Sequence, residues 1–234
     1  MLESQSLYRM LLAECLGTFM LVFAGTGAVI VNDVSGGAIT HIGIAAVFGL
    51  IVLSIIYTYG ETSGAHVNPA VTVAFWLAKR FPGKWVVPYV LSQCIGAILA
   101  SIAWYLYFPQ HDTLGATIPT IGLLQALVLE FLLTWWLMTV ILGVSEGAKE
   151  TGIVAGMVIG GVVALEAAFA GPITGASMNP ARSLGPALVS GNLSVLWIYL
   201  LATPLGAMTA VFTCRYTKGP ACCSEDVSLE KADN

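Results

Sequence analysis

Apolar residues fill long stretches of the chain, and the breaks between them fall at polar, Gly or Pro positions. Runs near 8–31, 40–59, 85–107, 121–143, 152–171 and 193–216 each approach the roughly 20 residues that a helix needs to cross a hydrocarbon core. Two further apolar stretches, Pro69 to Leu77 and Pro180 to Val189, are about ten residues long and too short to cross. They read as half-helices. The pattern predicts an all-α membrane protein with six transmembrane helices and two re-entrant half-helices.

Composition agrees, because 57% of the 234 residues are hydrophobic and 9% charged, where a soluble domain carries about a quarter charged residues. The first apolar run, Tyr8 to Val31, exceeds the short apolar core of a signal peptide, so it reads as the first membrane helix. The net charge of −4 is spread over loops and tails without a basic stripe, which argues against nucleic acid as a partner. The bilayer is the partner that composition requires.

Orientation follows from Lys and Arg, which accumulate on the cytoplasmic side. Arg9, Lys79, Arg80, Lys84, Lys149, Arg215, Lys218 and Lys231 all fall on one side of the predicted spans, while the opposite loops near 32–39 and 108–120 carry none. Both termini are therefore expected in the cytoplasm, with the protein in a plasma (inner) membrane. Arg182 is the exception.

The two halves repeat each other. Ser63-Gly64-Ala65-His66-Val67-Asn68-Pro69-Ala70 matches Thr174-Gly175-Ala176-Ser177-Met178-Asn179-Pro180-Ala181 in pattern, 111 residues later. Glu14 and Thr18 in span one match Glu130 and Thr134 in span four at the same internal spacing. Three spans per half make the second copy enter from the opposite face, an inverted repeat with its site near the midplane. The halves run about 8–115 and 120–216, within a membrane domain of 1–219, and the polar tail 220–234 is expected to be disordered.

Irregular backbone at membrane depth is tolerated where it is buried in protein or lines a water-filled cavity. Gly64, Ala65, His66 and Val67, with Gly175, Ala176, Ser177 and Met178, form two such segments, whose carbonyls need a polar passenger. Asn68 and Asn179 are good N-caps, and Pro69 and Pro180 suit the first helical position. Two half-helices of inverted topology would point their positive ends at one another and repel cations and protons. The two Asn amides can donate to a passing oxygen, which turns its hydrogens aside and interrupts a proton-conducting chain. The plainer alternative makes them structural caps only.

Arg182 lies one turn into the second half-helix, where a guanidinium costs about 3 kcal/mol by insertion scales. A lumen-facing role, binding solute oxygens and excluding cations, stands against a structural pairing with a glutamate. Glu14, Glu130 and Glu166 lie inside apolar spans. Proton-coupled transport is one reading of them; bracing of the re-entrant loops by Glu14 and Glu130 is the favoured one, since buried polar groups are satisfied. His66 could line the cytoplasmic half of the lumen, His41 and His111 read as loop residues, and no pair has metal-ligand spacing. Gly152, Gly156 and Gly160 permit close helix packing. Cys15 and Cys94 read as small core residues; Cys222 and Cys223 admit lipidation or soft-metal contact against an inert tail. No phosphate loop and no nucleophile beside a base occurs, so neither enzyme chemistry nor a cofactor is expected.

These residues carry a family resemblance: two Asn-Pro-Ala boxes in inverted halves, Glu in spans one and four, and Arg182 after the second box resemble the aquaporins, from Tyr8 to about Tyr216. The resemblance implies one pore per subunit and a homotetramer. It also implies a second filter near the outer mouth, at positions similar to Phe48, Ala167, Ala176 and Arg182. Water-selective members usually carry histidine where Ala167 stands, so two small side chains facing Phe48 imply a wider filter. Typical glycerol facilitators carry Asp where this chain has Ser183. The run Gly175 to Ala187, with Tyr199 and Leu200, is most similar to the nodulin-26-like branch and its bacterial relatives, and Phe48 departs from the Trp or small residues common there. The branch implies passage of water, glycerol and small uncharged hydroxyl compounds, including metalloid acids such as arsenious or boric acid. A strictly water-selective pore and a proton-coupled transporter are the alternatives.

Overall fold

A computed structural model describes residues 7–145 and 149–219, with the side chains of 149–153 left aside. Six long helices carry the apolar runs: α1 (Leu7–Val34), α2 (Thr40–Ser63), α4 (Val86–Tyr107), α5 (Leu123–Val144), α6 (Lys149–Thr174) and α8 (Leu196–Lys218). Each is long and apolar enough to cross a membrane. Between them lie the short helices α3 (Pro69–Leu77) and α7 (Pro180–Ser190). The described residues contain no strand. The tail, with Cys222 and Cys223, lies outside them.

Several helices outrun their apolar stretches. α2 continues past Tyr59 through Gly60, Glu61 and Thr62, because its stop is the left-handed Gly64 (φ 84°), whose N–H returns to Gly60 O. Hydropathy marks where an apolar environment ends, whereas the cap marks where helical bonding ends. α6 likewise runs through Pro172 to Thr174. His41, expected in a loop, is the second residue of α2.

The repeat is legible in the packing: α1 lies against α4 as α5 lies against α8, and α2 and α6 pack on each other between the halves. Close contact requires Gly at equivalent places. A Cβ on Gly96 would collide with the carbonyl oxygen of Cys15, and one on Gly206 with that of Phe131. At the α2–α6 crossing a Cβ on Gly49 would lie 2.6 Å from Gly160 O. Backbone-to-backbone approach at small residues replaces the hydrophobic effect as the packing force where lipid is the solvent. Of the glycines expected to pack closely, Gly160 meets Gly49 and Gly156 meets the Tyr57 ring; the side of Gly152 lies outside the described residues.

On the face that carries the ends of α1 and α8, basic side chains reach helix C-termini. Arg80 Nη1 donates to Ser145 Oγ at 3.0 Å and Leu142 O at 3.4 Å, Arg215 Nη2 to Leu77 O at 3.0 Å, and Lys218 Nζ to Gly143 O at 3.4 Å. Orphan carbonyls and the negative end of the helix dipole are met together.

Candidate functional site

Each Asn-Pro-Ala box is a helix start. Asn68 adopts extended backbone, its Oδ1 accepts the Ala70 N–H at 2.9 Å, and Pro69 follows at the first helical position. Asn179 caps α7 in the same way, with Oδ1 accepting from Ala181 N at 3.0 Å and Arg182 N at 3.3 Å. The amide nitrogens cross over. Asn68 Nδ2 donates to Met178 O and Asn179 Nδ2 to Val67 O, both at 2.8 Å. The positive ends of α3 and α7 are thereby held against one another. An amide carries two N–H donors, so one remains on each Asn beside the cavity that both side chains line.

The approach to each box is strained backbone. Gly64, Ala65 and Val67 have φ of 84°, 48° and 40°, and Gly175, Ala176 and Met178 have 86°, 40° and 54°. A positive φ costs of order 1–3 kcal/mol per non-Gly residue and persists only when the surroundings over-determine it; for β-branched Val67 it is a genuine outlier. The surroundings here are two buried glutamates. Glu14 accepts four donors: Ser63 Oγ at 2.7 Å and His66 N at 2.9 Å on Oε1, Val67 N at 2.7 Å and Gln93 Nε2 at 2.8 Å on Oε2. Glu130 accepts from Thr174 Oγ1 at 2.7 Å, Ser177 N at 2.9 Å and Met178 N at 3.0 Å. Each carboxylate turns the N–H groups of a left-handed loop outward and leaves its carbonyls for the lumen.

Tyrosines repeat the same logic one layer out. Tyr89 Oη donates to Ser63 O at 2.9 Å and Tyr199 Oη to Thr174 O at 2.6 Å, closing the last carbonyl before each loop. Ser183, beside Arg182, joins a hydroxyl chain: Thr117 Oγ1 donates to it at 2.8 Å, and it lies 2.6 Å from Ser177 Oγ. Sequence reasoning missed Tyr89, Gln93, Gly115, Thr117 and Tyr199 as functional supports. The pairing of Tyr89 with Tyr199, one box-to-box offset apart to within a residue, was the signal that could have found two of them.

A cavity of about 160 Å³ lies within the fold, lined by Phe48, Gly64, Ala65, His66, Val67, Asn68, Ala167, Ala176, Ser177, Met178, Asn179 and Arg182. Its remaining walls include Leu21, Val52, Ile56, Val71, Leu137, Ile141, Ile159 and Val163, so the residues of the two loops and boxes share the cavity with a largely apolar surround. Gly175 lies outside this lining. Its role is conformational: φ is 86° and a Cβ would lie 2.8 Å from Thr117 Cγ2. Pro69, Ala70, Pro180 and Ala181 also sit behind the wall, buried as the first turns of α3 and α7. The His66 ring is held by Thr72 Oγ1 at 3.1 Å and stacks on Phe75 with centroids 4.8 Å apart.

Arg182 meets Phe48, with Cζ 5.1 Å from the ring centroid. Its Nη1 donates to Gly115 O at 2.8 Å, and its buried Nε has no hydrogen-bond partner among the described residues. Phe48, Ala167, Ala176 and Arg182 thus line one cavity, to which they contribute an aromatic ring, two methyl groups and a cation. Glu166, next to Ala167, is fully buried, and neither carboxyl oxygen has a partner among the described residues. Among the described residues no group of His, Cys, Asp and Glu could hold a metal ion.

Comparison with known proteins places these features in a family. The family model for the major intrinsic proteins matches residues 1–214. Nodulin-26 from Glycine max is 46% identical over 214 residues, covering 90% of this chain and 79% of that protein. Aquaporin NIP6-1 from Arabidopsis thaliana is 45% identical over 215 residues, 92% of this chain and 70% of the relative. Among solved structures, the aquaglyceroporin from Plasmodium falciparum superposes with a TM-score of 0.84 at 25% identity, covering 93% of this chain and 99% of the other.

Proposed function

Since the chain belongs to the major intrinsic protein family, a family of membrane channels and not of enzymes, we propose that its cavity is a passive pore for water and small uncharged solutes, glycerol among them. The observation that carries the solute range is the cavity lining that Phe48 and Arg182 share with Ala167 and Ala176, two residues that contribute no more than a methyl group each. Arg182 and one amide N–H of each box Asn offer donors to a solute oxygen, while the apolar surround accepts its carbon side. A polyol matches such a mixed lining. Metalloid acids such as arsenious or boric acid, neutral and rich in hydroxyls, fit the same chemistry.

Charge is excluded by three features that act at two places. The opposed N-termini of α3 and α7 present positive potential at the box Asn residues, the Asn donors orient a passing oxygen, and Arg182 places a cation beside Phe48. The full engagement of Glu14 and Glu130 in hydrogen bonds to the loops supports their reading as braces and not as proton carriers. The clustering of basic residues on the face of the chain ends supports cytoplasmic termini in a plasma (inner) membrane. Exposed apolar faces such as Leu91, Ile95 and Leu99 of α4 suit contact with lipid or with further copies, and a homotetramer is the assembly we propose.

Purified protein in proteoliposomes tests the reading. Glycerol-driven swelling faster than that of empty vesicles is expected. Swelling equal to empty vesicles, with water flux retained, would leave a strictly water-selective pore.

A further inference from the structure

We propose that His41 is a positioning residue for the solute constriction, a strut that replaces a backbone hydrogen bond missing from α6 and so holds Ala167 at its distance from Phe48. The inference rests on the reading above that these residues narrow the pore. Pro172 lies inside α6. In an α-helix the N–H of residue 172 would bond to the carbonyl of Ala168, and proline has no N–H to give. The carbonyl so orphaned lies at the same level as Ala167. An unsatisfied backbone group in an apolar layer is strongly unfavourable.

His41 supplies the donor. Its Nε2 lies 2.7 Å from Ala168 O. A carbonyl can only accept, so Nε2 carries the proton, and it does so in both the Nε2–H tautomer and the imidazolium. The contact is therefore independent of ring charge. The neighbouring residue makes room for it, since a Cβ on Gly171 would lie 2.8 Å from His41 Cε1. Pro172 creates the gap, Gly171 admits the ring and His41 fills it.

The strut joins the two helices that bear the constriction. His41 and Phe48 are seven residues, two turns, apart and share a face of α2. Ala168 follows Ala167 on α6. Further along, Gly49 and Gly160 hold the same helices at backbone contact, 2.6 Å for a Cβ built on Gly49. The α2–α6 spacing is thus pinned on both sides of Ala167, at Gly160 by sterics and at Ala168 by His41. Releasing the second pin lets the end of α6 move away from Phe48.

The test is the glycerol-to-water permeability ratio of the full chain in proteoliposomes, in wild type and in H41A, H41Q, P172A and H41A/P172A. H41A should raise the ratio by about twofold or more, the low end of coupling between contacting groups. H41Q, which keeps an N–H at similar reach, should hold the wild-type ratio. P172A restores the helical N–H, so H41A should change little in that background. A ratio unaltered in H41A, or an H41A effect undiminished by P172A, overturns the proposal. Thermal unfolding in detergent runs the same cycle without flux: a loss in H41A that P172A suppresses supports the strut, and additive losses overturn it. If H41A does not fold, recovery of folded H41A/P172A supports the strut and its absence overturns it. Wild-type vesicles no more permeable than empty ones would defeat the channel reading and leave the strut to be judged on unfolding.

Discussion

Asn68 and Asn179 each donate a side-chain N–H to the loop that leads into the other, at 2.8 Å in both directions. The boxes are therefore one cross-braced unit and not two independent caps. Asn179→Asp should separate capping from crossing, because a carboxylate still accepts from Ala181 and Arg182 but cannot donate to Val67 O. A buried carbonyl left without its donor costs about 1–3 kcal/mol, and the new charge sits at the meeting point of two helix dipoles. Proteoliposomes carrying a pH dye should show a proton leak well above wild type, with a lowered unfolding temperature.

Glu14 serves four donors and holds Val67 at a φ of 40°. Glu14→Gln removes one acceptor oxygen and turns an NH2 toward groups that themselves donate. Loss of two partners predicts destabilisation of about 2–6 kcal/mol from the cost of each unmet buried donor. Water permeability per folded molecule should fall as well, since the loop carbonyls lose their aim. Unfolding in detergent and stopped-flow light scattering read the two effects separately.

Gly206 faces the Phe131 carbonyl as Gly96 faces that of Cys15. Gly206→Val and Gly96→Val should each force α8 off α5, or α4 off α1, with losses of about 1–3 kcal/mol or more for overpacking. Because the halves repeat, the two variants should be similarly impaired in the yield of folded protein. A wild-type yield from either would break the repeat argument.

Arg182 is fixed by Gly115 O and by Phe48. Arg182→Ala removes the cation and frees space at the narrow wall. Erythritol or another uncharged solute larger than glycerol should then pass at a rate several-fold above wild type, as expected when a polar gate contributes about 1–3 kcal/mol of discrimination. Cation leak should rise with it. Solute-driven swelling and a membrane-potential dye check both.

Much of this is legible in the sequence. The Asn-Pro-Ala boxes, their offset and the paired glutamates are local chemistry, and a residue that must cap a buried helix or brace a strained loop declares itself by being polar where its neighbours are not. Arg182 is legible for the same reason. What sequence leaves out is partnership across the fold. That Asn68 reaches Met178 and not only a passing solute depends on how two half-helices meet, and that His41 belongs to α2 and serves Ala168 depends on the tertiary consequence of Pro172. Helix ends were misjudged where apolarity stops before hydrogen bonding does, as at Gly60 to Ser63. Gln93, polar within an apolar run, is legible in the same way, but its partnership with Glu14 is not.

The central claim is that Phe48, Ala167, Ala176 and Arg182 set how wide a neutral solute the pore admits. Parallel stopped-flow measurement of water and glycerol permeability in wild type and Ala167→His tests it directly. An imidazole in place of a methyl group in the lining that Ala167 shares with Phe48 should cut glycerol flux by about tenfold or more, roughly the 1–3 kcal/mol that small steric differences in a pocket supply, while water flux changes by much less. Equal loss of both fluxes, or glycerol flux unchanged beside the new imidazole, would contradict the account.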